Sequence, residues 1–230
     1  MVWFMWFFLS CIHQKVPDPV TNVSFEVEAT FTDIASKQAQ KFFLTVLLEP
    51  IEQKNDGSFV LSAQMNCRLG KEQNEQYMFP QFRIFPDAEL LAVVQKVDFS
   101  TSVCPDEMFD VFPALLFPNP PTLSSRQERV SSIRWSGFNI LRDDKHLIRA
   151  TWQIEQSTRQ EVQISYEGQW VSKGASGSFE APYEGSILFK KYGGLPEKHE
   201  AKSIRKICFE RDDQNVCSDH QIDLILSKVQ

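Results

Sequence analysis

The sequence predicts a mainly β protein: a curved antiparallel sheet or half-barrel with one or two short helices, one of them central. Three observations lead there. Apolar and polar residues alternate with period two over long runs, the mark of strands with one wet face. Turn signals such as Asn55-Asp56-Gly57 separate serially adjacent runs. One mid-chain segment breaks the pattern with apolar residues at helical spacing between prolines. With 230 residues and 42% hydrophobic content the chain can bury a substantial core.

In the first strand Val23, Phe25, Val27, Ala29 and Phe31 alternate with Ser24, Glu26, Glu28 and Thr30. A second covers Lys41–Ile51, with Phe42, Leu44, Val46 and Leu48 in phase. The hairpin turn leads into Ser58–Leu69. Tyr77–Phe85 reads as an edge strand, because Pro80 cannot donate to a ladder. Asp87–Ser102 fits a helix turn or a buried strand equally well.

Pro105-Asp106-Glu107 then opens a short helix, with proline first and acids in the first turn. Phe109, Phe112, Leu115 and Leu116 follow at helical spacing. Pro113 should kink or stop the helix, and Phe117–Pro121 ends it. In the second half Ile148, Ala150, Trp152 and Ile154 form a strand. Val162, Ile164 and Tyr166 form the next, broken at Gly168. Gly174–Gly177 leads into Ser178–Ala181, Tyr183-Glu184-Gly185 reads as a turn, and Ser186–Tyr192 returns. Ser203–Glu210 and Val216–Leu226 make the last pair.

The N-terminus is of another kind. Met1–Leu9 is an unbroken apolar run, followed by Ser10, Cys11 and the polar, proline-containing stretch Ile12–Pro19. The run falls short of the roughly 20 residues a spanning helix needs, and it suits a removable signal. Phe8-Leu9-Ser10-Cys11 resembles the lipobox of bacterial lipoproteins, which implies cleavage before Cys11 and acylation of that cysteine. It departs from the usual pattern at Phe8, where Leu is common, and in lacking a basic residue before the run. The expected organisation is a signal peptide over 1–10, a lipidated tether over 11–20 and one β-rich domain over 21–230, its two halves meeting near 105–121. Ile12 after the cysteine implies, by the same resemblance, an outer-membrane destination.

Five cysteines are present. With Cys11 acylated, Cys67, Cys104, Cys208 and Cys217 remain, an even set that allows three pairings. Cys208 and Cys217 flank the polar turn Glu210–Asn215, so a hairpin staple is expected there, leaving Cys67 for Cys104.

Chemistry is sparse. A formal charge of −6 speaks against nucleic-acid binding. His13, His146, His199 and His220 are scattered, in no metal-binding spacing, and read as surface or satisfied polar residues. No nucleophile elbow or phosphate cradle occurs. The expectation is therefore a non-enzyme with no catalytic residue, metal or cofactor. Tyr77, Phe79, Phe82, Phe85, Phe109, Phe112 and Phe117 concentrate around mid-chain. They suit a pocket for an apolar ligand, or simply packing between sheet and helix.

The lipobox-like start, the β-rich body, the segment Pro113–Pro121 (PALLFPNPP) and the run Gly177-Ser178-Phe179-Glu180 … Gly185-Ser186-Ile187 together resemble uncharacterised bacterial envelope lipoproteins. Some of those share the curved half-barrel of the LolA–LolB lipoprotein carriers. The resemblance implies a concave apolar face and names no ligand. Two functions are expected from it: a lipid-anchored envelope module that binds or carries an apolar small molecule, or a structural or assembly lipoprotein that works through contacts with envelope proteins. In both, the N-terminal acyl chains make the membrane a partner.

Overall fold

In the computed structural model, residues 22–56, 58–70, 76–84, 90–98, 104–116, 118, 129–137, 144–174, 177–190, 195–211 and 214–229 are described. The order is β1 (Val23–Asp33), β2 (Ala39–Gln53), β3 (Phe59–Leu69), β4 (Gln76–Met78), β5 (Gln81–Ile84) and β6 (Leu90–Gln95). Then come α1 (Asp106–Leu116), β7 (Arg129–Ser136), β8 (Lys145–Ser157) and β9 (Glu161–Gly174). β10 (Gly177–Lys190), β11 (Pro196–Arg211) and β12 (Gln214–Val229) complete it.

All twelve strands belong to one sheet, ordered β2-β1-β12-β11-β10-β9-β8-β7-β6-β5-β3-β4. Because β2 also pairs with β3 along the register Phe42↔Leu69 to Gln53↔Phe59, the sheet curls into a barrel of eleven strands. Closure removes the free edges that an open sheet would leave. β4 and β5 lie in succession along the same side of β3. Pro80, which has no N–H for the ladder, falls in the gap between them. β6 and β7 join in parallel through only Leu90↔Arg134 and Leu91↔Trp135. Every other junction is antiparallel, so this is the thin seam of the ring.

The period-two pattern sets which face is which. Phe25, Val27, Ala29 and Phe31 on β1 are buried, as are Phe42, Leu44, Val46 and Leu48 on β2. The alternate positions on β8 to β10, among them Arg149, Gln153, Gln163, Glu167, Glu180 and Glu184, are exposed. Apolar residues thus point in and polar ones out, the reverse of a barrel that faces lipid.

α1 fills the interior. Its described side chains are buried all round, from Met108 to Leu116, as a helix enclosed on every side requires. It is tied to three strands of the ring, β7, β11 and β3. Trp135 of β7 donates Nε1–H to the Asp110 carbonyl at 2.8 Å. His199 of β11 reaches the Leu115 carbonyl at 2.8 Å. Cys104, just before the helix, is disulfide-bonded to Cys67 of β3, with 6.1 Å between Cα atoms.

Three sequence expectations are corrected here. The helix continues through Pro113, losing one backbone donor, and ends three residues later at Leu116; enclosure on all sides compensates for the missing bond. Gly168 does not break its strand, and Tyr183-Glu184-Gly185 is not a turn. β9 and β10 run straight through these positions, paired without interruption from Gly177↔Gly174 to Lys190↔Glu161. The glycines mark close approach instead: a Cβ on Gly168 would strike the Arg149 carbonyl oxygen, and one on Gly185 the carbonyl of Glu200.

Candidate binding site

Strands β7 to β11 line their share of the interior with aromatic and polar side chains. The register explains how these fit. On β9 and β10 each large inward residue faces a small one: Tyr166 opposes Gly185, Tyr183 opposes Gly168, and Trp170 opposes Ala181. This alternation leaves room for the rings without pushing α1 out.

Two groups result. In the first, Tyr166 Oη and His199 Nε2 are 2.7 Å apart, and His199 Nδ1 sits 2.8 Å from the Leu115 carbonyl. A carbonyl can only accept, so Nδ1 carries the proton and Tyr166 donates to Nε2. The imidazole thereby caps one of the last carbonyls of α1, which has no partner within the helix. Burial pushes the His199 pKa down to about 4, so the ring is neutral at physiological pH. Burial likewise raises Tyr166 and Tyr183 well above the ordinary tyrosine range. The Tyr183 hydroxyl stands beside that of Tyr166 yet makes no hydrogen bond of sound geometry.

The second group is less satisfied. The His146 side chain is fully enclosed, stacked on Trp135 at 5.3 Å between ring centres and tilted against Trp170 at 5.9 Å. Its Nε2 lies 3.4 Å from Asp110 Oδ1 of α1, outside hydrogen-bond geometry, and Nδ1 has no partner. Trp170 Nε1 and Trp152 Nε1 are also buried without a hydrogen bond. The Arg205 guanidinium packs over Trp170 at 4.4 Å and over Phe179 at 3.8 Å, contacts that favour a cation on an aromatic face. Ser172, opposite His146 in the ladder, is buried too. Buried donors and acceptors normally find partners, and leaving one unmade costs about 1–3 kcal/mol. Among the described residues no group of three or more His, Cys, Asp or Glu side chains converges as a metal site.

The residues singled out from sequence divide. Phe82, Phe109 and Phe112 are buried in the core, and Phe79 is half exposed. The side chains of Tyr77, Phe85 and Phe117 lie outside the described residues, as does Cys11. Cys67 is paired with Cys104, as expected. Cys217 is disulfide-bonded, and the residue facing it in the β11–β12 ladder is Cys208. His199, with both ring nitrogens partnered, is a satisfied polar residue as expected, whereas His146 is buried against α1 with neither nitrogen hydrogen-bonded. A signal was present, since His146 is in phase with Ile148, Ala150 and Trp152.

A concavity lies outside the barrel, a groove of ≈ 660 Å³ over β8–β12. Glu167, Glu184, Glu200, Lys202 and Asp223 border it. Its chemistry is that of a solvated, mostly acidic surface.

No family model matches the sequence, and no curated protein matches it either. Solved structures show only distant likeness. A structure titled for lipid–protein interactions in lipovitellin superposes with TM-score 0.41 and 9% identity over 91% of this chain, which spans 25% of the lipovitellin chain. Two engineered variants of the Rh. blastica porin give TM-scores of 0.29 and 0.28 at 7% and 8% identity, each covering 91% of this chain and 99% of theirs.

Proposed function

We propose that this protein is a non-catalytic binding module of the bacterial envelope, held to the membrane by acyl chains on Cys11, that takes an apolar ligand with a polar group inside the barrel beside α1. One observation carries the reading. The interior wall on β8 and β9 holds hydrogen-bonding atoms of His146, Trp152 and Trp170 that are buried without partners. A wall that served only to fill space would hold apolar side chains there. The anchor rests on Phe8-Leu9-Ser10-Cys11 and on the even set of cysteines that remains.

The filled interior favours a second reading, a structural or assembly lipoprotein that works through protein contacts. The two separate on one preparation. Full-length protein from a Gram-negative host is extracted in detergent, its intact mass is taken, and an organic extract of it is analysed by mass spectrometry. A mass from Cys11 onward plus acyl groups, with a stoichiometric apolar molecule in the extract, supports the module. An empty extract from protein that also fails to bind added medium-chain alcohols, ethers and carboxylates overturns ligand binding and leaves the assembly reading. An unmodified N-terminus overturns the anchor.

A further inference from the structure

We infer that the Cys208–Cys217 pair is a thiol-exchange site: a thiolate from outside attacks Cys217 Sγ, forms a mixed disulfide there and releases Cys208 as its thiolate. The site takes a thiol and holds it covalently. It is separate from the interior of the barrel and stands whether or not a ligand binds there.

The two cysteine pairs have opposite surroundings. Cys67 and Cys104 are 0% and 4% exposed and belong to the core. Cys217 is disulfide-bonded and exposed. Cys208 stands directly across the β11–β12 ladder from it, at the roughly 4.5–5.5 Å between Cα atoms that a disulfide can span. The ladder that carries this pair runs on past the barrel. Pairing of β10 with β11 stops at Tyr183↔Ser203, beside Pro182, which has no N–H to give. Pairing of β1 with β12 stops at Asp33↔His220, followed by one last bond from the Ile34 N–H to the Asp219 carbonyl at 2.9 Å. Beyond that point the positions from Ile207↔Ser218 to Arg211↔Gln214 are paired in the sheet, among the described residues, only with each other. Cys208 and Cys217 thus staple a two-stranded ribbon with neither flank built into the ring.

Exchange requires a thiolate to reach a disulfide sulfur. Enclosure denies that approach at Cys67 and Cys104, and exposure grants it at Cys217. The bond that forms joins the incoming sulfur to Cys217 Sγ, and the bond that breaks is Cys208–Cys217. The ladder holds the released Cys208 thiolate opposite the mixed disulfide. It can attack Cys217 Sγ again, restoring the staple and expelling the incoming thiolate. Alternatively a second thiolate attacks the incoming sulfur, which leaves as a disulfide of two such thiols, and the protein keeps both electrons as two cysteine thiolates. In either course the ladders of β10 with β11 and of β1 with β12 are untouched, so the change is confined to the ribbon.

The test treats oxidised full-length protein with reduced glutathione at pH 8, traps free thiols with N-ethylmaleimide at intervals and maps them by peptide mass spectrometry. Cys208 and Cys217 should be labelled on the order of a thousandfold sooner than Cys67 and Cys104, which must wait for the core to open. Samples quenched early in acid should carry the glutathionyl group on Cys217. Amide exchange after reduction should quicken over the ribbon and stay unchanged in β1, β2 and β3. In Cys208→Ser, oxidised glutathione should convert the Cys217 thiol to the mixed disulfide, with a circular dichroism spectrum that matches wild type. Reduction of both pairs at one rate, or of neither without urea, would overturn the exchange site. A glutathionyl group on Cys208 instead would overturn Cys217 as the sulfur attacked.

Discussion

The barrel has two unlike walls. Strands β12, β1, β2 and β3 present aliphatic and phenylalanine side chains, among them Phe25, Leu44, Val46, Met65 and Leu226, with no buried polar group among their inward residues from β1 to β3. Strands β7 to β11 present His146, Trp152, Tyr166, Trp170, Tyr183, His199 and Arg205. Both walls press on the same helix. The difference teaches that burial alone does not define a core. One wall gains from every contact it makes, whereas the other depends on a few directional bonds, some of them unmade.

The largest expected effect lies on the aliphatic wall. Phe25→Ala should lower unfolding stability by about 3–5 kcal/mol in urea titrations, through lost burial and the cavity left behind. Next comes the tether: Cys104→Ser frees a loop of 37 residues and should cost about 3–4 kcal/mol in the same assay under oxidising conditions. A loss under 1 kcal/mol would show that packing alone holds α1.

The third prediction sharpens the contrast through pH. His199 has its pKa depressed in the fold to about 4, from 6.5 in the unfolded chain. The unfolded state therefore takes up a proton first as pH falls. The contribution of His199 to stability should be level above pH 6.5 and decline between 6.5 and 4, by roughly 3 kcal/mol. The decline should be shallower in His199→Gln when urea midpoints are followed across that window.

The smallest effects set the two tyrosines against each other. Tyr166→Phe leaves His199 Nε2 without its donor and should cost about 1–2 kcal/mol. Tyr183→Phe removes a hydroxyl that makes no sound bond and should fall within about 0.5 kcal/mol of wild type. Equal costs would mean that the Tyr183 hydroxyl bonds in solution, and the polar wall would be better satisfied than its geometry indicates.

Much of the aliphatic wall was legible in the sequence because period two is a local signal: Val23 to Phe31 reads as a strand with no knowledge of its partners. The mid-chain helix was legible for a similar reason. The polar wall was harder. Gly168 and Gly185 look like breakers until the opposing strand is known, and only the register shows that each faces a tyrosine. His146 and His199 are 53 residues apart in sequence and are related only through α1, which both approach, a long-range contact that no local pattern encodes. Cysteine pairing was recoverable because counting left few choices.

The Cys67–Cys104 bond also dates the steps of folding. Both residues are almost wholly buried in the finished barrel, and thiol oxidation requires a thiolate that an oxidant can reach. The bond is therefore expected to form before the sheet encloses the two residues. A chain that closes first would seal two reduced thiols inside, beyond the reach of the machinery that could correct it.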